Sequence, residues 1–382
     1  MSSSERHIRN NVFSFETEKQ LNANSTSNQI QKIKILDENG NTHEYGLPVY
    51  NYIEKNFTIS LNPLTSPAIA KTFVNATDFS KKNNNGKNKV YTESVQPKYA
   101  QSYMLTNIKT PDYVDVNQNG IMDDDDFGDY FKFEYQGWDN IDPSSSSRFK
   151  WRSPLMAGAS ATQIPVSANI GNLSNPNDDI GNASYGEKDI TYLSKIISKT
   201  HYAVFVLEDR LDGQPVLDET GTIDNNKFQK KLVRIDLFSF ADQSKPVKSV
   251  HFEYSYELCR GVPNSKFDAA INPNQGKLTL KKVYFTYGGK KTKSTRNAYE
   301  FTYNTKDIDG NEVGYLDARE DAWGNLDLYS RYRKYAGIFT LTDQYQTTEE
   351  GNQFQKSEEM RINEAGMWSI NKVSLPSGGT IL

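Results

Sequence analysis

A pattern of paired strand signals recurs along this 382-residue chain and limits what it can fold into. Each pair opens with Leu-x-x-Ile or an equivalent. It closes with apolar residues at every second position, in the form Phe-x-Phe-x-Tyr. The first copy opens at Leu105-Thr-Asn-Ile108 and closes at Phe131-Lys-Phe133-Glu-Tyr135. The second opens at Leu193-Ser-Lys-Ile196 and closes around Val204-Phe205-Val206. The third runs from Leu232-Val-Arg-Ile235 to Val250-His-Phe252-Glu-Tyr254. The fourth runs from Leu280-Lys-Lys-Val283 to Tyr299-Glu-Phe301-Thr-Tyr303, and a fifth begins at Ile370-Asn-Lys-Val373. Alternation of period two gives each strand one apolar face and one polar face. A lone pair is marginal in water, so neighbours must stack side by side. The expected fold is therefore all-β, built from repeated antiparallel strand pairs that grow a sheet or shell by hairpins, with long loops between them.

Composition agrees. Tyr 23 and Phe 19 make the apolar content aromatic, which suits a pleated, half-buried surface. A formal charge of -4 is not the basic balance that tracks a phosphate backbone, so nucleic acid is not expected as a partner. No stretch is long and apolar enough to cross a membrane. Cys259 is the single cysteine, so no internal disulfide and no cysteine-based zinc site can form; it reads as a small buried residue at a strand end.

Around the repeats, residues 1–29 read as a flexible lead-in, and 30–103 as an N-terminal β region with a hairpin turn at Asn39-Gly40. There Phe57, Ile59 and Leu61 alternate as a strand, and 77–98 read as a solvated loop carrying Lys81 to Gly86. The repeats occupy 104–304 and are interrupted at 139–187 by a Ser-, Asn-, Pro- and Gly-rich stretch expected to be a long loop. Residues 305–367 read as an insertion, with a short helix expected within 315–335, and 368–382 as the start of a further repeat. Both ends read as cut, and the first residues carry no apolar signal core, so the chain is expected to be a piece of a larger parent.

The strand pattern resembles Rhs/YD-repeat proteins and the cocoon part of insecticidal toxin complexes and SpvB-like proteins. The segment Tyr192 to Asp212, ending in Arg210-Leu211-Asp212, is similar to one that runs into an Arg-x-Asp element there. The stretches KKLVRIDLFSF, KSVHFEYSYELC, GKLTLKKVYFTYGG and WSINKVSLPSGGTI resemble large secreted proteins of Bacteroidota, as do YMLTNIKTPDYVDVNQNG and the Asp321-Ala-Trp323-Gly324-Asn325 element. The likeness covers roughly 30–382. No Rhs core motif, no DPxG-type autoproteolysis site and no toxin domain is present. The resemblance implies an extracellular or outer-surface location, export by the type IX system, and a hollow shell whose effector cargo or surface ligand lies outside this chain.

One motif carries chemistry. Asp115-Val-Asn117-Gln-Asn119-Gly120-Ile121-Met-Asp123-Asp-Asp-Asp126 fits the D-x-[DN]-x-[DN]-G calcium loop. Asp115, Asn117 and Asn119 would give side-chain oxygens and Ile121 its carbonyl; Asp123 would bind directly or through water, and Asp126 would close the site. Gly120 allows the sharp turn. The last ligand of an EF-hand is Glu; Asp here resembles dockerin-like loops instead. The flanking segments are strands, so calcium would clip a hairpin tip. The competing reading is a plain acidic turn. Asp307-Ile-Asp309-Gly310-Asn311-Glu312 has too few ligands and reads as a turn.

Nothing else points to catalysis. His201 and His251 lie among strand residues, and no G-x-S-x-G, H-E-x-x-H or phosphate-binding glycine loop is present. Glu253 and Glu300 fall on repeat strands opposite the aromatic positions and read as solvated. The aromatic rows read as core-facing. The expected role is a non-catalytic shell or scaffold segment that encloses or displays an effector. A surface adhesin or glycan-binding module is the alternative. A polysaccharide hydrolase would need two facing acids that the sequence does not supply.

Overall fold

The structure is a computed structural model that describes residues 13–21, 28–62, 71–86, 88–139, 148–168, 180–290, 298–315, 346–347, 353–354 and 358–382. The Asp321–Asn325 element and nearly all of 315–335 lie outside the described residues. The protein is all-β, and the principal sheet contains 17 strands, with every strand pair antiparallel.

Most of that sheet is one meander. It begins with β1 (Phe13–Thr17), β2 (Ile30–Leu36) and β3 (Thr42–Ser60). β5 (Tyr91–Lys109), β6 (Tyr130–Gly137), β10 (Thr191–Ser198) and β11 (His201–Asp209) follow. β12 (Lys230–Ser239), β13 (Lys248–Leu258), β14 (Lys277–Tyr287) and β15 (Tyr299–Tyr303) continue it. β18 (Ile370–Ser374) and β19 (Thr380–Ile381) complete it.

The opening motif has a physical cause. In an ordinary strand, residues three apart point to opposite faces, so Leu and Ile of Leu-x-x-Ile would split between core and solvent. A β-bulge inserts one extra residue and restores them to one face. Leu193 lies opposite Tyr135 and Lys195 opposite Glu134, which leaves Ser194 as the extra residue. Thr106, Val233, Lys281 and Asn371 are skipped in the same way after Leu105, Leu232, Leu280 and Ile370. A sixth bulge follows Ile30, where Gln31 is skipped opposite Glu16 and Thr17.

The closing motif has a cause as well. The Tyr135 hydroxyl donates to the Leu105 carbonyl at 2.7 Å, Tyr254 to Leu232 at 2.6 Å and Tyr303 to Leu280 at 2.7 Å. Each of these tyrosines also lies opposite the first aliphatic residue of the next pair. One tyrosine thus joins its own opening strand, through its hydroxyl, to the strand that follows, through its backbone. The second pair has Leu207 at that position, opposite Leu232.

The compact core lies to one end of the meander. The long strands β3 and β5 extend past it, and β9 (Ile180–Lys188) pairs with the second half of β3. β7 (Phe149–Ser153) and β8 (Ile164–Ala168) join β9, and β4 (Lys71–Val74) joins β8. Phe57, Ile59, Leu61, Val74, Phe79, Ile164, Val166, Ala183, Tyr185 and Val216 form the buried cluster. Val216 comes from the loop after β11, whose amide donates to the Lys150 carbonyl. Arg152 pins that loop, donating from Nε to the Glu219 carbonyl at 2.7 Å and from Nη1 to the Pro154 carbonyl at 2.6 Å.

Several expectations change. Strands β7, β8 and β9 occupy much of 139–187, where the sequence predicts a loop. Their small residues fit close packing: a Cβ on Gly186 would stand 2.6 Å from the Trp151 ring, and one on Gly181 3.1 Å from Leu61. Residues 91–98 belong to β5 rather than to a loop, and β1 with a single helical turn at Glu18–Leu21 lies within 1–29. Within 305–367 the structure holds a helix at Glu358–Gly366. Cys259 is half-buried, follows β13 with φ +50°, and burial raises its thiol pKa.

The aromatic rows do not form a buried core. Phe133, Tyr135, Phe252, Tyr254, Phe301 and Tyr303 are half-buried, and Phe131 is 44% exposed. The buried residues of the repeat strands include Asp236, Ser249, Thr279 and Thr286 on the opposite face. Arg234 grips Asp236 through Nε at 2.8 and 2.9 Å, and the Ser249 hydroxyl donates to the same carboxylate at 2.6 Å.

Candidate functional site: the acidic hairpin tip

The loop of residues 110–129 joins β5 to β6. Thr110 and Asp129 close its neck through three hydrogen bonds, and Val114 bridges Phe127 above them. Gly128 is required here: at φ +74°, an added Cβ would lie 2.5 Å from the Asp112 backbone.

The predicted ligands fall into two groups. Asp115, Asn117, Asn119 and Asp123 share one network at the tip. Asp115 Oδ1 and Asn117 Oδ1 both accept the Asn119 amide, at 3.2 and 3.0 Å, so these two oxygens converge. Asp115 Oδ2 accepts the Gly120 amide at 2.8 Å, and Asn119 Oδ1 accepts the Ile121 amide at 2.6 Å. Asn119 Nδ2 donates to Asp123 Oδ2 at 3.0 Å. Gly120, at φ +73°, makes the turn that aligns these amides. Ile121 is exposed.

Asp126 stands apart and is 2% exposed. Its Oδ2 accepts the Tyr113 hydroxyl at 2.6 Å and the Asp123 amide at 3.2 Å, while Oδ1 accepts the Val116 amide at 3.2 Å. The Tyr113 hydrogen bond holds the Asp126 carboxyl below the usual range, and burial together with that carboxylate pushes the Tyr113 phenol up. Lys199, in the turn between β10 and β11, donates to the Asp126 carbonyl at 2.5 Å. Asp126 therefore tethers the loop to its neck and to the next hairpin.

The all-oxygen, strongly anionic donor set matches a hard cation such as Ca²⁺. Asp115, Asn117, Asn119 and Asp123 fit that chemistry at the tip. Asp126 departs from it, because it is buried at the neck, apart from the tip, where it holds the Tyr113 hydroxyl and the Val116 amide. Among the described residues no group of three or more His, Cys, Asp or Glu side chains is placed to hold a metal. Tyr113 and Lys199 escaped the sequence reading. Tyr113 lies two residues before the motif, and Lys199 reaches the loop only through strand pairing.

The Asp307 loop is a turn: Asp307 Oδ1 accepts the amides of Asp309 and Asn311 at 3.0 and 2.9 Å. Asp37, in Asp37-Glu-Asn-Gly-Asn41, makes the same pair of bonds. Arg210 and Asp212 form a bidentate pair at 2.8 and 2.5 Å, with Asp212 fully buried. His251 stacks on Tyr284 and contacts Thr286 at 2.9 Å, while His201 contacts Thr200. Glu253 is exposed, and Glu300 pairs with Lys282 at 2.9 Å.

Comparison with protein families, curated proteins and solved structures finds no match to this chain. No described helix is long and apolar enough to cross a membrane.

Proposed function

We propose that this chain is a non-catalytic structural segment of a larger secreted or cell-surface protein, a shell or scaffold wall that encloses or displays an effector. The observation that carries the reading is the recurrence of one strand junction. The same bulge occurs at six places; five face residues toward the end of the preceding strand, and the one at Thr106 faces Glu44 and Tyr45 near the start of β3. A junction that repeats lets a sheet extend by adding units, and bulges add twist and bend. The Rhs-like resemblance of the same segments supports a shell, an extracellular or outer-surface location, and the type IX route. In this reading calcium at Asp115, Asn117, Asn119 and Asp123 stiffens a hairpin tip beside the wall.

A surface adhesin or glycan-binding module is the second reading, favoured by the aromatic rows, which stay partly exposed instead of forming a buried core. Electron microscopy of the full-length protein that contains this segment, with calcium and then with chelator, separates the two. A hollow closed particle supports the shell. An extended rod or a string of beads sinks the enclosing role and moves the assignment to the adhesin.

A further inference from the structure

We infer that two copies of this chain pack face to face through the aliphatic–aromatic face of the meander. Strand register puts the opening and closing residues on that one face. Leu105 and Ile108 adjoin Phe131, Phe133 and Tyr135, which adjoin Leu193 and Ile196. The row continues through Phe205, Leu232, Ile235, Val250, Phe252 and Tyr254 to Leu280 and Val283. It ends at Phe301, Tyr303, Ile370 and Val373.

None of these side chains belongs to either buried cluster among the described residues. Asp236, Ser249 and Thr286 on the polar face are buried, whereas the apolar side chains stay partly exposed, with Phe131 and Ile370 exposed outright. Charge enters the described part of this face at its rims, where Lys248 lies opposite Tyr287 and Lys281 is tied to Glu257. An apolar surface of this extent marks an interaction site.

Its dimensions suit a second copy. The nine strands from β5 to β18 at ~4.8 Å spacing, and about five residues of height, give a face of roughly 40 by 15 Å. That is about 600 Å² per copy and about 1,200 Å² for the pair, the lower bound of a stable interface. Two sheets of identical twist pack aligned, about 30° apart and ~10 Å between layers. A copy of this chain supplies a face of the same twist, length and chemistry, and a two-fold axis makes the contact self-complementary. The inference does not rest on the shell reading, which survives or fails on the particle's shape.

Sedimentation equilibrium of the whole chain from about 1 to about 50 µM brackets a micromolar Kd. The expected mass is twice that of one chain. Phe205→Glu combined with Phe252→Glu should weaken the dimer by about 30-fold or more, the effect of losing a central hot spot. Lys195→Glu combined with Lys282→Glu, on the opposite face, should leave it intact. A single-chain mass at every concentration overturns the inference, even if the Glu variant fails to fold. So does a dimer lost only with the opposite-face pair, or wild-type chain that stays monomeric and binds neutral phosphatidylcholine vesicles instead.

Discussion

The Tyr254 hydroxyl donates to the Leu232 carbonyl at 2.6 Å while the Tyr254 backbone lies opposite Leu280. One residue therefore links the opening strand of its own pair, through its side chain, to the opening strand of the next, through its backbone. Tyr135 and Tyr303 repeat the arrangement.

Removing that hydroxyl should loosen one junction. Tyr254→Phe keeps the ring and leaves the Leu232 carbonyl without this donor, at a cost of about 1 kcal/mol. Leu207 occupies the equivalent position in the second pair. Leu207→Tyr should gain up to about 1 kcal/mol where the ring fits. Urea unfolding midpoints of both variants against the wild type check the pair of effects, which should have opposite signs.

The hairpin tip depends on a backbone position no other residue can fill. Gly128→Ala places a Cβ 2.5 Å from the Asp112 backbone at a positive φ. It should cost about 2 kcal/mol or more, because both backbone strain and a clash must be relieved. Amide exchange should rise at Val114 and Phe127, whose mutual bridge closes the neck. Unchanged exchange there would show that the neck is not held by this turn.

Two carboxylates tie turn stability to pH. The Asn41 side chain, followed by His43, holds the Asp37 carboxyl at about 2, and Tyr113 holds that of Asp126 below its usual value. A folded-state pKa below the unfolded one means that the contribution is fully present above the unfolded value of about 3.9. It is lost as pH falls through the folded pKa. Protection of the Asn39, Asn41 and Val116 amides should therefore hold from neutral pH to about 4 and decline below it. Protection that already declines near pH 6 would contradict this assignment.

Arg152 anchors the loop after β11 against the core from a buried position, and burial lowers its guanidinium pKa to about 10. Arg152→Ala leaves the Glu219 and Pro154 carbonyls without these donors and opens a cavity, so it should cost about 2–4 kcal/mol. Arg152→Met fills the space without the donors and should recover part of the loss. Thermal unfolding of the two variants distinguishes a packing role from a hydrogen-bonding one.

Calcium should bind weakly, at about 10⁻⁴–10⁻³ M, as in extracellular modules. Asp115→Ala should abolish binding in isothermal titration. Asp126→Asn should mainly loosen the loop, because Asp126 serves the neck through Tyr113 and Val116.

The strand pairs were legible because period-two alternation survives in Phe131 to Tyr135 and in Val250 to Tyr254. The spacing Leu-x-x-Ile was legible as a motif, yet its bulge was not, because register needs the partner strand. Ile30-Gln-Lys-Ile33 follows the same rule and went unread among the polar residues around it. Strand β9 hid behind Gly181, Ser184 and Gly186, which read as loop residues; the two glycines are small because Leu61 presses on the first and Trp151 on the second. The acidic loop was legible in position and chemistry. The separate role of Asp126 was not, since it rests on Tyr113 and Lys199 arriving from outside the motif.

One bulged junction repeats along the sheet. A density map of this chain at side-chain resolution tests it most directly. The map should show an extra residue at Gln31, Thr106, Ser194, Val233, Lys281 and Asn371, with the Tyr135, Tyr254 and Tyr303 hydroxyls on the carbonyls of Leu105, Leu232 and Leu280. Uninterrupted ladders through Leu193–Ile196 and Leu280–Val283 would contradict it.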